Sequence, residues 1–203
     1  TSGVTVNSAS WVAGQGASGT ATGDASVGTD TFTGVQVIRG SEFADVFHGS
    51  NNLTGVEVFQ GRGGNDFIDG GGGFDRVTYW FRTDDNVTGG ITVNMATGTV
   101  VGDASVGTDT LRSVESVRAT NFVDTYDATG FTTSSTNAGS GGFIVIGGVQ
   151  LAFNEFEGFG GNDSITGNGN TRIDYINATD GVTVNLLTGT AQGTASGDLA
   201  NVG

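Results

Sequence analysis

Gly61-Arg62-Gly63-Gly64-Asn65-Asp66-Phe67-Ile68-Asp69 runs without a gap into Gly70-Gly71-Gly72-Gly73-Phe74-Asp75-Arg76-Val77-Thr78, two nine-residue segments in register. In each, a six-residue glycine-rich turn ends in Asp, one residue is skipped, and an apolar residue follows, Ile68 or Val77. Gly158-Phe159-Gly160-Gly161-Asn162-Asp163-Ser164-Ile165-Thr166 keeps the same pattern. Glycine tolerates positive φ, so successive peptide carbonyls in such a turn can be aimed at one centre, and the Asp adds a charged oxygen. Hard cations such as calcium take about six to eight oxygen ligands, carbonyl or carboxylate. The candidate ligand groups are therefore Gly61, Gly63, Gly64 and Asp66; Gly70, Gly72, Gly73 and Asp75; and Gly158, Gly160, Gly161 and Asp163.

Outward from these turns the chain repeats itself. Gly3-Val4-Thr5-Val6-Asn7 returns at Gly90-Ile91-Thr92-Val93-Asn94 and at Gly181-Val182-Thr183-Val184-Asn185, a period of roughly ninety residues. GDASVGTD occurs identically at Gly23–Asp30 and Gly102–Asp109. The chain divides into a first unit over 1–89 with nonapeptides at 61–78, a second over 90–180 with its nonapeptide at 158–166, and a truncated third over 181–203. A solenoid cut in mid-unit exposes an uncapped cross-section, so more chain or a neighbouring copy is expected to cover it. Trp11 lies in extra residues peculiar to the first unit, and packing is its simplest role.

Runs such as Val-Thr-Val-Asn and Val-Glu-Val-Phe alternate at period two between glycine or Asx clusters, which predicts short strands and no amphipathic helix. Phe143–Ile146 and Val149–Ala152, joined by Gly147-Gly148, fit either a hairpin or two successive solenoid strands, and the second is preferred.

The 21 acidic residues face seven basic ones, all Arg, for a net charge of −14 in 203 residues. Nucleic acid and anionic membrane surfaces are poor partners for such a chain. It repels itself when compact, so without cations it is expected to be disordered. The 13 Phe and the regularly placed Val and Ile argue against disorder once cations bind. There is no Cys, so neither disulfides nor thiolate metal sites exist, and bound metal is the obvious staple for an exported fold. No window approaches the roughly 18 to 20 apolar residues of a membrane span. The residues from Thr1 show no secretory leader, so the chain is expected to be an excised or processed segment.

These nonapeptides resemble the hemolysin-type, or RTX, calcium-binding repeat with consensus G-G-x-G-x-D-x-U-x. The spacers also look like those of large bacterial proteins of that family, so the resemblance covers nearly the whole chain. It implies an all-β fold, a right-handed parallel β-roll or β-solenoid with glycine-rich calcium turns. It implies Ca2+ as the bound ion, type I export, and folding outside the cell. In the family an ion sits between turns stacked on one side, which pairs Asp66 with the turn of Asp45 and Asp75 with the turn of Glu57.

Departures thin the pattern. In Gly40–His48, Phe43 replaces a turn glycine, although Asp45 and Phe47 hold their places, so Asp45 joins the candidate ligands. Ala119–Asp127 keeps Asp124 and Tyr126 but has no turn glycine, the turn before Gln60 is lengthened and offers Glu57, and Gly167–Thr171 lacks its Asp. Few ions are expected, with affinities on the order of 10⁻⁴–10⁻³ M, as in extracellular modules. The turns can also be explained as bare corners whose Asp residues cap local amides. That account suits Asp30, Asp109 and Asp198, which lie outside nonapeptide register. Arg76 and Arg172 are expected to be surface partners of the acidic excess.

No constellation suggests catalysis. His48 falls at an outward position, and Asp84-Asp85 or Glu155 with Glu157 are the remaining acid pairs. The expected role is structural: a repeat segment of a large secreted surface, adhesin, matrix or surface-layer protein at the bacterial cell surface. Its partners would be calcium and either further copies of itself or cell-surface polysaccharide. The alternatives are the carboxy-terminal folding and secretion module of an exoenzyme, or a self-assembling extracellular filament subunit. Ice binding would need Thr-x-Thr on successive turns, and Thr-Asp-Thr occurs only at 29–31 and 108–110.

Overall fold

The computed structural model describes residues 2–80, 86–139, 143–146 and 149–193. Asp84-Asp85, Gly147-Gly148 and Asp198 lie outside them. The described residues are all-β. The first unit supplies β1 (Thr5–Val12), β2 (Gly16–Thr22), β3 (Thr29–Val35), β4 (Val37–Arg39), β5 (Val46–His48), β6 (Val56–Gln60), β7 (Phe67–Asp69) and β8 (Phe74–Thr78). The second supplies β9 (Thr92–Asn94), β10 (Thr99–Val101), β11 (Thr108–Arg112), β12 (Ser116–Arg118), β13 (Thr125–Asp127), β14 (Phe143–Ile146), β15 (Val149–Ala152), β16 (Asn154–Glu157), β17 (Ser164–Thr166) and β18 (Thr171–Ile173). β19 (Val182–Asn185) and β20 (Thr190–Gly193) follow.

From β3 to β9, from β11 to β13 and from β16 to β18 the chain alternates between two sheets. One runs β4-β6-β8-β12-β16-β18, every pairing parallel. The other runs β3-β2-β1-β5-β7-β11-β10-β9-β13-β17 and is mixed. Its nonapeptide strands pair in parallel, but β1-β2-β3 and β9-β10-β11 are antiparallel meanders. The spacers therefore depart from the purely parallel expectation, and their turns explain why. Asn94 Oδ1 accepts the amide of Thr97 at 3.0 Å with Gly98 at φ 68°, and Asp103 Oδ1 accepts Ser105 at 2.8 Å with Gly107 at φ 87°. Such Asx turns reverse the chain within one sheet, whereas a six-residue glycine turn carries it to the other.

The apolar residue after each acid points inward. Phe47, Phe59, Ile68, Val77, Leu111, Val117, Tyr126 and Phe156 are all fully buried. The two sheets meet through them, with Phe47 and Phe59 ring centroids 6.0 Å apart and Tyr126 and Phe156 4.6 Å apart. β14 and β15 pair antiparallel with each other alone, so this segment is a hairpin and not two rungs. Trp11 is partly buried in β1, with its indole over Gly55. His48 is exposed beside the Phe67 ring.

Candidate metal centre

The three well-formed turns share one backbone pattern, with positive φ at the second and fourth positions. The values are 78° and 116° at Arg62 and Gly64, 87° and 120° at Gly71 and Gly73, and 61° and 103° at Phe159 and Gly161. Arg62 and Phe159 hold this conformation with a side chain, at a cost of about 1–2 kcal/mol each. Trp80 stacks on Phe159 at 4.5 Å between centroids.

The turns lie on one another. A Cβ on Gly64 would strike the Phe43 carbonyl carbon, one on Gly73 the Asn52 carbonyl oxygen, and one on Gly161 the Phe122 carbonyl oxygen. Gly63 faces Glu42, Gly160 faces Asn121, and the Gly72 amide donates to the Ser50 carbonyl at 3.0 Å. The first glycine of each turn leaves room for an acidic oxygen. The missing Cβ would lie 1.8 Å from Asp66 Oδ2 at Gly61, 1.9 Å from Asp163 Oδ2 at Gly158 and 2.7 Å from Asp75 Oδ2 at Gly70. At Gly40 it would meet Asp45 Oδ2 and the Gly61 carbonyl oxygen together. Only glycine fits there, and a carboxylate oxygen is among its nearest neighbours at each of the four.

Strand register strings the acids into rows. On the mixed sheet Asp45, Asp66 and Asp109 are consecutive. The amide of Asp45 donates to Asp66 Oδ1 at 2.8 Å, and the amide of Asp66 donates to Asp109 Oδ1 at 2.9 Å. Beyond the meander, Asp124 Oδ1 accepts from Ile91 at 2.7 Å and Asp163 Oδ1 from Asp124 at 2.9 Å. On the parallel sheet Glu57, Asp75 and Glu115 are consecutive, with the Asp75 amide donating to Glu115 Oε2 at 2.9 Å. The structure thus stacks Asp66 on the turn of Asp45 and Asp75 on the turn of Glu57.

Asp109 corrects the sequence reading, which took it for a local cap. It is fully buried, accepts the Tyr79 hydroxyl at 2.8 Å and continues the row of Asp66. Glu115 is likewise absent from the sequence reading, and Asp124, placed there in a nonapeptide without turn glycines, was not among the candidate ligands. Their common signal is an acid two residues ahead of an inward apolar residue: Asp109 before Leu111, Glu115 before Val117, Asp124 before Tyr126.

Buried acids in rows are electrostatically costly. Asp66 is pushed up to about 8, by burial first and then by the charge of Asp109. Asp75 is pushed up to about 9 by burial and by the charges of Glu115 and Glu57. Burial likewise lifts Asp109 and Glu115 to about 7 and Asp124 to about 6. Asp66 Oδ2, both carboxylate oxygens of Asp75 and Glu57 Oε1 are buried without a hydrogen-bond partner among the described residues. The Glu57 amide lies near enough to ease the charge of Asp75, outside hydrogen-bond geometry.

Arginine neutralises acids elsewhere. Arg76 and Arg172, expected on the surface, converge on the buried Glu155, Arg76 through Nη2 at 2.8 Å and Arg172 through Nε at 2.6 Å. Burial raises the Glu155 carboxyl, but hydrogen bonds from Arg172, Ser116 and Arg76 outweigh it and hold the group below its ordinary value. The parallel sheet brings the two arginines there because Arg76, Ser116, Glu155 and Arg172 share one row. Glu157 pairs with Arg118 at 2.7 Å.

A cation fits the oxygen-rich rows around Asp66 and Asp75. Its ligands would be the orphaned carboxylate oxygens and turn carbonyls. Among the described residues no three His, Cys, Asp or Glu side chains converge as a ready-made cluster. The rows explain this, since successive acids stand one strand apart and one oxygen of Asp66 and of Asp109 is engaged by a main-chain amide. No family model, no curated protein and no solved structure matches the chain.

Proposed function

We propose that this chain is a non-catalytic, calcium-binding repeat segment of a large secreted bacterial surface protein, such as an adhesin, matrix or surface-layer component. Its fold class is a β-solenoid of the β-roll kind related to RTX repeats, and it acts outside the cell. The observation that carries this is the pair of buried acidic rows, Asp45–Asp66–Asp109 and Glu57–Asp75–Glu115, stacked on glycine turns with unpartnered oxygens and no arginine in the row. Burying like charges together is unfavourable by several kcal/mol unless a cation or proton neutralises them. An ion that binds only the folded chain would then drive folding by mass action, where calcium is abundant. Arg76, Arg118 and Arg172 bond Glu155 and Glu157 and so do not neutralise these rows.

Circular dichroism and calorimetry during titration with calcium, with magnesium and with chelator test this. Calcium is expected to complete the β-spectrum and release heat, and Asp66→Ala with Asp75→Ala to lose that uptake. Equal β-structure in chelator with unchanged uptake by the double variant would overturn the reading.

A further inference from the structure

The seam between the two units lies inside the chain, where β8 sets Arg76, Val77 and Thr78 opposite Ser116, Val117 and Arg118 of β12. At the corner just before those strands three bends lie in a stack. A Cβ on Gly49 would meet the Gly70 carbonyl oxygen at 2.2 Å, and one on Gly70 would meet the Ser113 carbonyl oxygen at 2.3 Å. The Gly70 amide also donates to the Arg112 carbonyl at 2.9 Å. Ser113 therefore stands to Gly70 as Gly70 stands to Gly49, although residues 112–115 belong to a spacer and carry no nonapeptide pattern. Ser113 nonetheless has φ 51°, in the left-handed region that residues with a side chain seldom adopt.

The bend is held from its far side. The Asn137 carbonyl accepts the Ser113 amide at 3.1 Å, and the Asn137 side chain accepts the Val114 amide at 3.1 Å and donates to the Val114 carbonyl at 2.9 Å. Asn137 is fully buried, and Gly139 leaves room for Glu115 Oε1, which a Cβ there would approach to 3.1 Å.

Oxygens converge on this corner. Asp75 Oδ2 lies 2.7 Å from the same missing Cβ of Gly70 that the Ser113 carbonyl oxygen approaches. One calcium ion, with bonds of about 2.3–2.6 Å, can touch both. The Asp75 amide donates to Glu115 Oε2 at 2.9 Å and so sets the second carboxylate beside the first. Asp75 is 1% exposed, and neither of its carboxylate oxygens has a hydrogen-bond partner among the described residues. The opposite corner of the seam differs. Both oxygens of Asp109 are engaged there, Oδ1 by the Asp66 amide and Oδ2 by the Tyr79 hydroxyl.

We infer that a calcium ion bridges the two units at this corner, held by the Asp75 and Glu115 carboxylates and the Ser113 carbonyl. The inference rests on the calcium reading of the proposed function and adds ligands from the spacer, outside any nonapeptide turn. An ion with ligands from both units binds only when both are folded, so its binding free energy couples them. Without it the seam is held by main-chain pairing and by the contact of buried residues such as Val77 and Val117.

Calorimetric titration of the full chain with calcium tests this on two variants. Glu115→Gln keeps an acceptor for the Asp75 amide, and Asp103→Asn removes an exposed charge from the same spacer. Glu115→Gln should lose one bound ion or bind it at least tenfold more weakly, and the rise in urea midpoint that calcium gives should shrink. Asp103→Asn should keep the natural ion count. On the natural chain, manganese in place of calcium should broaden the amide resonances of Ser113 and Glu115 together with those of Gly70 and Asp75. Uptake unchanged in Glu115→Gln, or broadening confined to the turn of Gly70 and Asp75, would overturn the inference and leave the calcium reading standing. An equal loss in Asp103→Asn would make the effect one of net charge and sink the site. A natural chain that takes up no calcium would overturn both.

Discussion

The amide nitrogen of Asp66 donates a 2.9 Å hydrogen bond to Oδ1 of Asp109, forty-three residues on, and with the Thr108 amide to Asn65 Oδ1 at 2.8 Å it joins the first unit's glycine turn to the second unit's spacer. Both carboxyls are buried; burial first raises each, the charge of Asp109 adds to the cost of ionising Asp66, and the charge of Asp45 adds to that of Asp109. Asp66→Asn keeps an acceptor for the Asp45 amide and removes one of the facing charges. In chelator the variant should be more stable than the natural chain, by about 1–3 kcal/mol. In calcium the order should reverse, with affinity falling tenfold or more, about 1.4 kcal/mol per decade. Urea midpoints measured in both conditions check the crossing of signs, which a mere Asx corner would not produce.

The raised carboxyls set the direction of the pH dependence. Folded Asp66, Asp75, Asp109, Glu115 and Asp124 hold their protons up to between about 6 and 9, while the unfolded groups release theirs near 3.8 to 4.5. The folded chain therefore binds more protons, and in chelator its stability should fall as pH rises from about 4 to about 9. Bound calcium requires the ionised form, so in excess calcium the slope should flatten or invert and ion uptake should release protons. Denaturation at pH 5 and pH 8, with and without calcium, reads the two slopes.

The inward positions were legible because an acid, a skipped residue and an apolar residue is a period-two signal that no turn chemistry disguises. Ile68, Val77, Phe47 and Tyr126 all fall where that spacing puts them. The partnership of Asp66 with the turn of Asp45 came from the resemblance to stacked nonapeptide turns, not from the spacing itself. Asp109 was not, because its turn, Gly102–Gly107, is an Asx reversal within one sheet and does not resemble a nonapeptide corner, although its Asp returns to the same row. The Arg76–Glu155–Arg172 row joins residues from three strands far apart in the chain, and only register brings them together. The β14–β15 hairpin was ambiguous because period two is the same in a rung and in a hairpin.

Glu155 gives a contrast that separates structural from ion-dependent acids. Its oxygens accept from Arg76, Arg172 and Ser116, so its charge is satisfied within the protein. Glu155→Gln should cost about 3–5 kcal/mol, chiefly by leaving the mostly buried Arg76 without its carboxylate, and the loss should be equal in calcium and in chelator. Arg76→Met should behave in the same way. Thermal midpoints of both variants across a calcium series check this, and a loss that vanished at high calcium would place Glu155 with the ion-binding rows instead.

Arg62 stands at the second position of its turn with φ 78°, where the turn of Asp75 has Gly71 at 87°. Its guanidinium pairs with Glu42 at 2.5 Å, but both side chains are substantially solvent-exposed, so the pair contributes little. Replacing Arg62 with glycine removes about 1–2 kcal/mol of left-handed strain and gives back about 0.5–1 kcal/mol in unfolded-chain entropy. The net expectation for Arg62→Gly is a gain of up to about 1 kcal/mol. The same change at Phe159 should fail to stabilise, because it also removes the ring on which Trp80 stacks. Paired urea denaturation of Arg62→Gly and Phe159→Gly in saturating calcium resolves the difference. Were both to stabilise equally, the Trp80–Phe159 contact would be energetically idle and backbone strain alone would govern the turn.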